Sequence, residues 1–255
     1  MNSTAWLRYY KNNPKTWTDP QWQVPSPLDR KTKQALAHSL SHFQLGESGT
    51  GNFLLNQARK QVPDDSAYHE ALELFVAEEK EHAHLLEQLV QYYGGGTIRR
   101  HWTHRLFKMA RRALGLNFEL QVLVIAELVG TAYYRLLHKR TRDAVLEQAC
   151  DRILRDEARH IDFHADWLGD FQWRLLPLER SIWSAQFQVL FSLAAQIAWI
   201  DHRSCLRAVG ARKTEFFREA RSECIHFLKQ LERKAEKQIH SDGRSLRVRA
   251  CSPLV

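Results

Sequence analysis

Two stretches of this sequence put an acid and an imidazole three positions apart. They are "AEEKEHAH" (Ala77 to His84) and "LRDEARHIDFHADWL" (Leu154 to Leu168). On a helix, side chains at i and i+3 leave the same face, so a Glu-x-x-His pair can grip one ion. The first stretch offers two registers, Glu79/His82 and Glu81/His84. Stepping by three and four from Glu79 and His82 meets Leu72, Phe75, Leu86 and Leu89, an apolar stripe that faces a core. The same walk from Glu81 and His84 meets Gln88 and Gln91, which mark a wet face. Glu79 and His82 are therefore expected to point inward. From Glu157 and His160 the walk passes Leu146, Cys150, Ile153, His164 and Trp167, so this pair is expected inside as well.

Two other segments carry one acid each on an apolar stripe. Glu47 follows Leu36, Leu40 and Phe43 and precedes Gly51 and Leu54. Glu127 sits among Leu120, Val124, Thr131 and Tyr134. The layout repeats: a lone Glu, then Glu-x-x-His, then the same again. Four carboxylates facing one core are costly unless neutralised. Two divalent cations balance four carboxylates, each ion taking one terminal Glu and one His while two Glu bridge. A Glu from each of two helices plus Glu-x-x-His from the other two is the ligand pattern of dinuclear carboxylate bundles. Oxygen and nitrogen donors with bridging carboxylates suit Fe or Mn better than Zn, and two Fe ions are the expectation, with Mn possible.

The elements that must position these residues read as helices. The chain has 255 residues, 44% of them apolar, enough for one domain with a large core. Its 11 Gly and 7 Pro cluster at a few points and leave long uninterrupted segments, which predicts an all-α protein. Residues 1–26 read as an irregular arm rich in Trp and Pro, tied down by Trp6, Trp17 and Trp22. Residues 27–240 read as one domain. Its metal-binding bundle covers 27–170, with extra helices over 177–239. In that bundle helix 1 runs from Pro27 to about 60, and helix 2 from an Asp64 or Asp65 cap to the "GGG" at Gly94 to Gly96. Helix 3 is capped by Asn117, helix 4 by Thr141, and Pro177 and Thr214 open the last two. Residues 241–255 read as a basic, flexible tail. Short connections 1–2 and 3–4 with a long 2–3 crossover give a four-helix bundle of ferritin-like topology.

The first-half motif "EEKEHAHLLEQL" resembles the second-helix motif of ferritins. "RDEARHIDFHADWL" is similar to the motif of bacterial multicomponent monooxygenases, acyl-carrier-protein desaturases and aldehyde-deformylating oxygenases. The resemblance, to the ferritin-like di-iron carboxylate superfamily, spans about Leu28 to Asp170. It implies that Glu47, His82, Glu127 and His160 are terminal ligands and that Glu79 and Glu157 bridge. It also implies that Asp156 accepts a hydrogen bond from a ligand His and fixes its tautomer; read alone, Asp156 is equally an ordinary solvated acid. The implied activity is an O₂-dependent oxidoreductase acting on a small organic or carrier-tethered substrate by hydroxylation, desaturation, N-oxygenation or deformylation, with an external electron donor. Thr131, one turn past Glu127, matches a Thr beside the oxygen side of monooxygenase centres and can relay a proton, or can simply bond its own helix.

An iron-storage ferroxidase is the rival reading, although about 85 residues beyond helix 4 exceed what a storage subunit uses. A tyrosyl-radical role is disfavoured because Leu86 stands one turn after His82; Tyr133 and Tyr134 do not replace that Tyr. Gly49, Gly51 and Gly130 either open a cavity for O₂ and substrate or allow close packing. His164 lies one turn past His160 on the inward face, as an extra ligand or a partner of one. His38 and His42 are spaced like a metal pair but lie off the Glu47 stripe, and Asp201–His202 could cover one end of the site. The net charge of +8 is concentrated in Ile98 to Arg112 and in the tail, as solvated surface or as a docking face for an acidic partner. No nucleic-acid motif, apolar leader or membrane-length apolar run is evident, and four scattered Cys suit a reducing cytoplasm; a homodimer is compatible with all of this.

Overall fold

In the computed structural model, residues 1–13, 18–111 and 115–250 are described. The described residues are all-helical with no strand. The helices are α1 (Ser3–Asn12), α2 (Arg30–Glu47), α3 (Asn52–Gln61), α4 (Ser66–Tyr92), α5 (Trp102–Arg111), α6 (Leu116–Arg140), α7 (Ala144–Trp173), α8 (Pro177–Ala208) and α9 (Lys213–Ala250). The α2–α3 segment packs on α4, and α6 packs on α7. The connection between these two pairs runs through α5, α4 meets α7, and α8 and α9 lie against the bundle.

Local chemistry explains most boundaries. Asp29 caps α2 and Asp65 caps α4, each accepting from the backbone N–H three residues on, at 2.9 Å. Gly94 ends α4 at φ +76°, and the Gly95 N–H reaches back to the Val90 carbonyl. Asp143, not Thr141, caps α7, accepting from Val145 and Leu146 N–H. Thr141 instead donates to the Leu137 carbonyl and closes α6. Asn117 is inside α6, whose cap is Gly115; its Oδ1 accepts from Trp167 Nε1.

Three larger features depart from the sequence reading. The single helix expected over 27–60 is broken at Ser48 to Gly51, immediately after Glu47. The arm is not irregular throughout: α1 is a capped helix held by burial of Tyr10 and by Trp6, whose indole donates to Asp166 and meets Phe163 edge-on at 5.4 Å. Trp22 packs edge-on against Tyr92, and Trp17 lies outside the described residues. The expected loose tail is helical through Ala250, as a continuation of α9.

The core is continuous from α2 to α9. Helix α6 is apolar nearly all round; by length and composition it could cross a membrane, and 78% of its most apolar window is buried here. Arg135 and Arg140 on its exposed edge pair with Glu223 and Glu215 of α9. Two acids of this helix are buried among its apolar neighbours, Glu119 and Glu127.

Candidate metal centre

Helices α4 and α7 bring Glu79, His82, Glu157 and His160 together, with one ligating atom from each inside 4.8 Å of the others. The expected register holds: His82 is fully buried, whereas His84 faces solvent and Glu81 pairs with Arg152 at 2.8 Å. His160 Nδ1 lies 2.8 Å from Glu79 Oε1 and 3.9 Å from Glu157 Oε2. His82 Nδ1 lies 3.6 Å from Glu157 Oε1. Both imidazoles thus turn Nδ1 toward the acids.

The opposite ring nitrogens are held across the helix pair. His82 Nε2 lies 3.1 Å from Asp156 Oδ2, and His160 Nε2 lies 3.1 Å from Glu78 Oε2. A carboxylate accepts from Nε2–H, so Nδ1 is the nitrogen of each ring that a metal would take, in place of the proton that His160 Nδ1 shares with Glu79. Asp156 thus takes the hydrogen bond of a buried histidine. Glu78 has the same role and went unnoticed in the sequence. The signal was present: an acid directly precedes each Glu-x-x-His, as Glu78-Glu79 and Asp156-Glu157. Asn13 at the end of α1 donates to Glu78 Oε1 at 2.9 Å, so the N-terminal helix helps to fix His160. Glu78→Ala and Asp156→Ala should each weaken metal affinity about 10- to 100-fold without abolishing it. Competition titration against a chelator checks this; unchanged affinity in either variant would remove that acid from the site.

Glu47 and Glu127 complete the set from α2 and α6, but outside the tight quartet. The Glu47 carboxyl is hydrogen-bonded to Glu79. Glu127 Oε1 lies 3.1 Å from His164 Nε2, while its Oε2 has no hydrogen-bond partner. His164 is therefore the partner of the Glu127 carboxylate in this arrangement.

Burial pushes the carboxyl of Glu157 well above the ordinary range, and the charge of Glu79 adds to it. Glu47 is raised in the same way, first by burial and then by Glu79. Burial also works to raise Glu79, but the hydrogen bond from Glu47 and the charge of His160 outweigh it and leave Glu79 below the usual range. Burial lowers His160, yet Glu79 and the Glu78 hydrogen bond prevail and raise it well above an ordinary imidazole. Without metal the cluster is held by protons: Glu47 and Glu157 neutral, Glu79 charged against His160. Three buried atoms on the inner surface have no hydrogen-bond partner, His82 Nδ1, Glu127 Oε2 and Glu157 Oε2, while His160 Nδ1 and Glu79 Oε1 face each other at 2.8 Å. Unmet buried polar atoms are rare and call for an explanation. Carboxylate oxygens and imidazole nitrogens gathered in this way are the donor types of a metal site, so the quartet fits a bound cation.

Two hydroxyls border the acids. Thr131 Oγ1 is buried with no partner, so it does not bond its own helix. Tyr134 Oη is buried and partnerless too; burial raises its pKa well above normal, followed by the charges of Glu47 and Glu157. At Gly130 an added Cβ would meet nothing closer than 3.8 Å, so packing does not demand a glycine there. Gly51 differs: it begins α3 at φ +68°, and a Cβ would lie 2.6 Å from Val76. Gly51→Ala should cost about 2 kcal/mol or more, from left-handed strain of about 1–2 kcal/mol plus the clash. Gly94→Ala, also at positive φ but with nothing within 4 Å, should show the strain alone. Urea unfolding of both variants separates the two contributions.

A second cluster, His42, His101 and Asp201, has ligating atoms within 4.8 Å of one another. Its groups already serve each other. Asp201 Oδ2 lies 3.2 Å from His42 Nδ1 and accepts from Thr103. The His42 and His101 rings stack at 3.9 Å and 25°, and His101 Nε2 also faces Asp201, 3.5 Å from Oδ1. We read this cluster as a clasp that ties the start of α5 to α2 and α8. His202 beside it donates to or accepts from Ser39 at 2.8 Å, and burial drives its pKa down to about 3. Asp201 and His202 therefore belong to the clasp and not to the quartet. His38 meets the same clasp edge-on at His42 and faces solvent. A surface groove of about 370 Å³ lies on the outer sides of α4 and α7, lined by Lys80, Glu81, His84 and Arg152, and contains none of the quartet.

No family model, no curated protein and no solved structure matches this chain.

Proposed function

We propose that the chain is a ferritin-like dinuclear carboxylate enzyme that uses O₂ to oxidise an organic substrate. The observation that carries this reading is the doubled acid-Glu-x-x-His unit, which gathers one ligating atom from each of Glu79, His82, Glu157 and His160 within 4.8 Å in the buried interior. In this reading Glu79 and Glu157 would be shared between the ions, and His82, His160, Glu47 and Glu127 would be the terminal ligands; Glu47 lies beside Glu79 and Glu127 beside His164. Iron is the metal we favour, with manganese second. When bound, a pair of redox-active divalent ions supplies the electrons that reduce O₂ and the oxidising power directed at the substrate.

The protein's own groups set the conditions. Asp156 and Glu78 lock the imidazole tautomers, and Asn13 steadies Glu78. Leu72, Phe75, Leu86 and Leu120 pack the bundle interior and exclude water. Thr131 and Tyr134 offer protons at Oγ1 and Oη next to the carboxylates, and neither spends its hydrogen on another group. The α2–α3 break directly after Glu47 leaves Ser48 to Thr50 exposed. The electron donor is external in this reading, and the exposed basic stretch around Arg99 and Arg100 suits an acidic one.

Anaerobic loading with Fe²⁺ should saturate at about two ions per chain. The loaded protein should consume O₂ in proportion to the ions bound and then stop until it is reduced again. Uptake of tens of irons per chain into a mineral would favour the storage reading instead. Absence of metal binding would end both.

A further inference from the structure

Helix α8 has a face that nothing in the described chain covers. Its inner side packs into the core through Trp183, Phe187, Phe191, Ala195 and Trp199. Its outer side shows Leu178, Ile182, Val189, Leu193 and Ile200 at 71, 60, 60, 52 and 54% exposure. Ala185 and Gln196, also exposed, fill the remaining places in the same stripe. From Ser181 to Ile200 there is no charged residue, in a chain that is 26% charged. A helix that is apolar or uncharged all round is normally buried all round. A stripe about 30 Å long of this kind marks an interaction surface.

The spacing of the stripe indicates what covers it. Positions 178, 182, 185, 189, 193, 196 and 200 advance by steps of 4, 3, 4, 4, 3 and 4. That series reads the same from either end, with Val189 at its centre. A two-fold axis through Val189 therefore lays the stripe, antiparallel, onto its own image. Leu178 then meets Ile200, Ile182 meets Gln196, and small Ala185 meets large Leu193. An isologous contact requires a patch complementary to itself, and this one is. Charge selects the antiparallel sense. Under this axis exposed Glu179 comes within one turn of exposed Arg203 of the other copy, at both ends of the contact. A parallel pairing would instead set Glu179 against Glu179 and Arg203 against Arg203.

We propose that a second copy of this chain covers α8, in an antiparallel α8–α8 contact centred on Val189. The contact is independent of the metal reading. It leaves the α2–α3 break and α4–α7 on each copy outside the seam.

Light scattering on the full chain at tens of micromolar should give twice the 29.9 kDa chain mass. Val189→Arg combined with Leu193→Glu should give a monomer with unchanged helicity and metal content. The axis is tested by oxidation in a Cys251→Ser background. Val189→Cys should cross-link to itself. Ile182→Cys alone should not, and Ile182→Cys with Gln196→Cys should. A monomeric wild type, a dimer that survives the double charge variant, or cross-linking of Ile182→Cys alone would each overturn the proposal.

Discussion

Glu79→Ala empties the metal centre, whereas Glu81→Ala, half a turn further along α4, leaves it filled. Glu79 lies 2.8 Å from His160 and is hydrogen-bonded to Glu47, and these contacts hold its carboxylate charged without metal. Its removal takes away a bridging ligand, so the loss of affinity should exceed the 10- to 100-fold typical of an outer hydrogen-bond partner. Metal per chain after desalting should fall from about two to below about one-half. Glu81 pairs with Arg152 on the outer side of α4, with its side chain 38% exposed. A surface pair of that kind contributes about 0–1 kcal/mol, too little to disturb the centre. Circular dichroism guards against misfolding, since removal of Glu79 leaves His160 without its paired acid in the metal-free chain. Metal analysis with the two outcomes exchanged would mean that the α4 register is reversed.

The second large effect is on stability against pH. Glu157 and Glu47 have folded-state values well above 4.5, so the folded chain binds more protons than the unfolded one above that pH. Their contribution is complete below about 4.5 and is lost as pH rises through the raised values. His160 acts in the same sense: its contribution is complete below about 6.5 and is lost as pH rises past its elevated value. Glu79 has the opposite sign, since its value is depressed; its contribution is present above about 4.5 and fades only in acid. Between pH 5 and 8 the metal-free protein should therefore lose stability as pH rises. Divalent metal replaces the protons, so the loaded protein should lose that slope. At about 1,000 times Kd one ion adds about 4 kcal/mol, or a rise in Tm of roughly 8–16 °C for a chain of this size. Thermal melts with and without metal at pH 5.5 and 8 make the comparison. A metal-free protein that grows more stable toward pH 8 would contradict the proton-held cluster.

Why the two hairpins and the inward registers were legible is a matter of periodicity. Leu72, Phe75, Leu86 and Leu89 share the face of Glu79 and His82, and a buried stripe admits one register only. Asp65, Gly94 and Pro177 act on the backbone within a few residues of themselves, so their effect is written locally, whereas the first bundle helix starts at an Asp29 cap and not at Pro27. The caps that went astray, Asn117 and Thr141, are residues with more than one way to satisfy a side chain. Trp167 claimed the first and the Leu137 carbonyl the second. The break after Glu47 was hidden because helical spacing continues through it. It is forced where Gly51 meets Val76 of α4, a contact between segments.

Composition and spacing alone determined that the chain is helical and that Glu79, His82, Glu157 and His160 face a common interior. Tertiary structure decided which helix each side chain addresses: Glu78 serves His160 on α7, Asp156 serves His82 on α4, and Glu127 turns to His164. It also moved His42 and Asp201 into a separate clasp, and left one face of α8 bare. The reason is physical. A helical period fixes the direction of a side chain about its own axis, whereas its partner depends on how far two axes have slid and turned past each other, and packing over the whole core sets that.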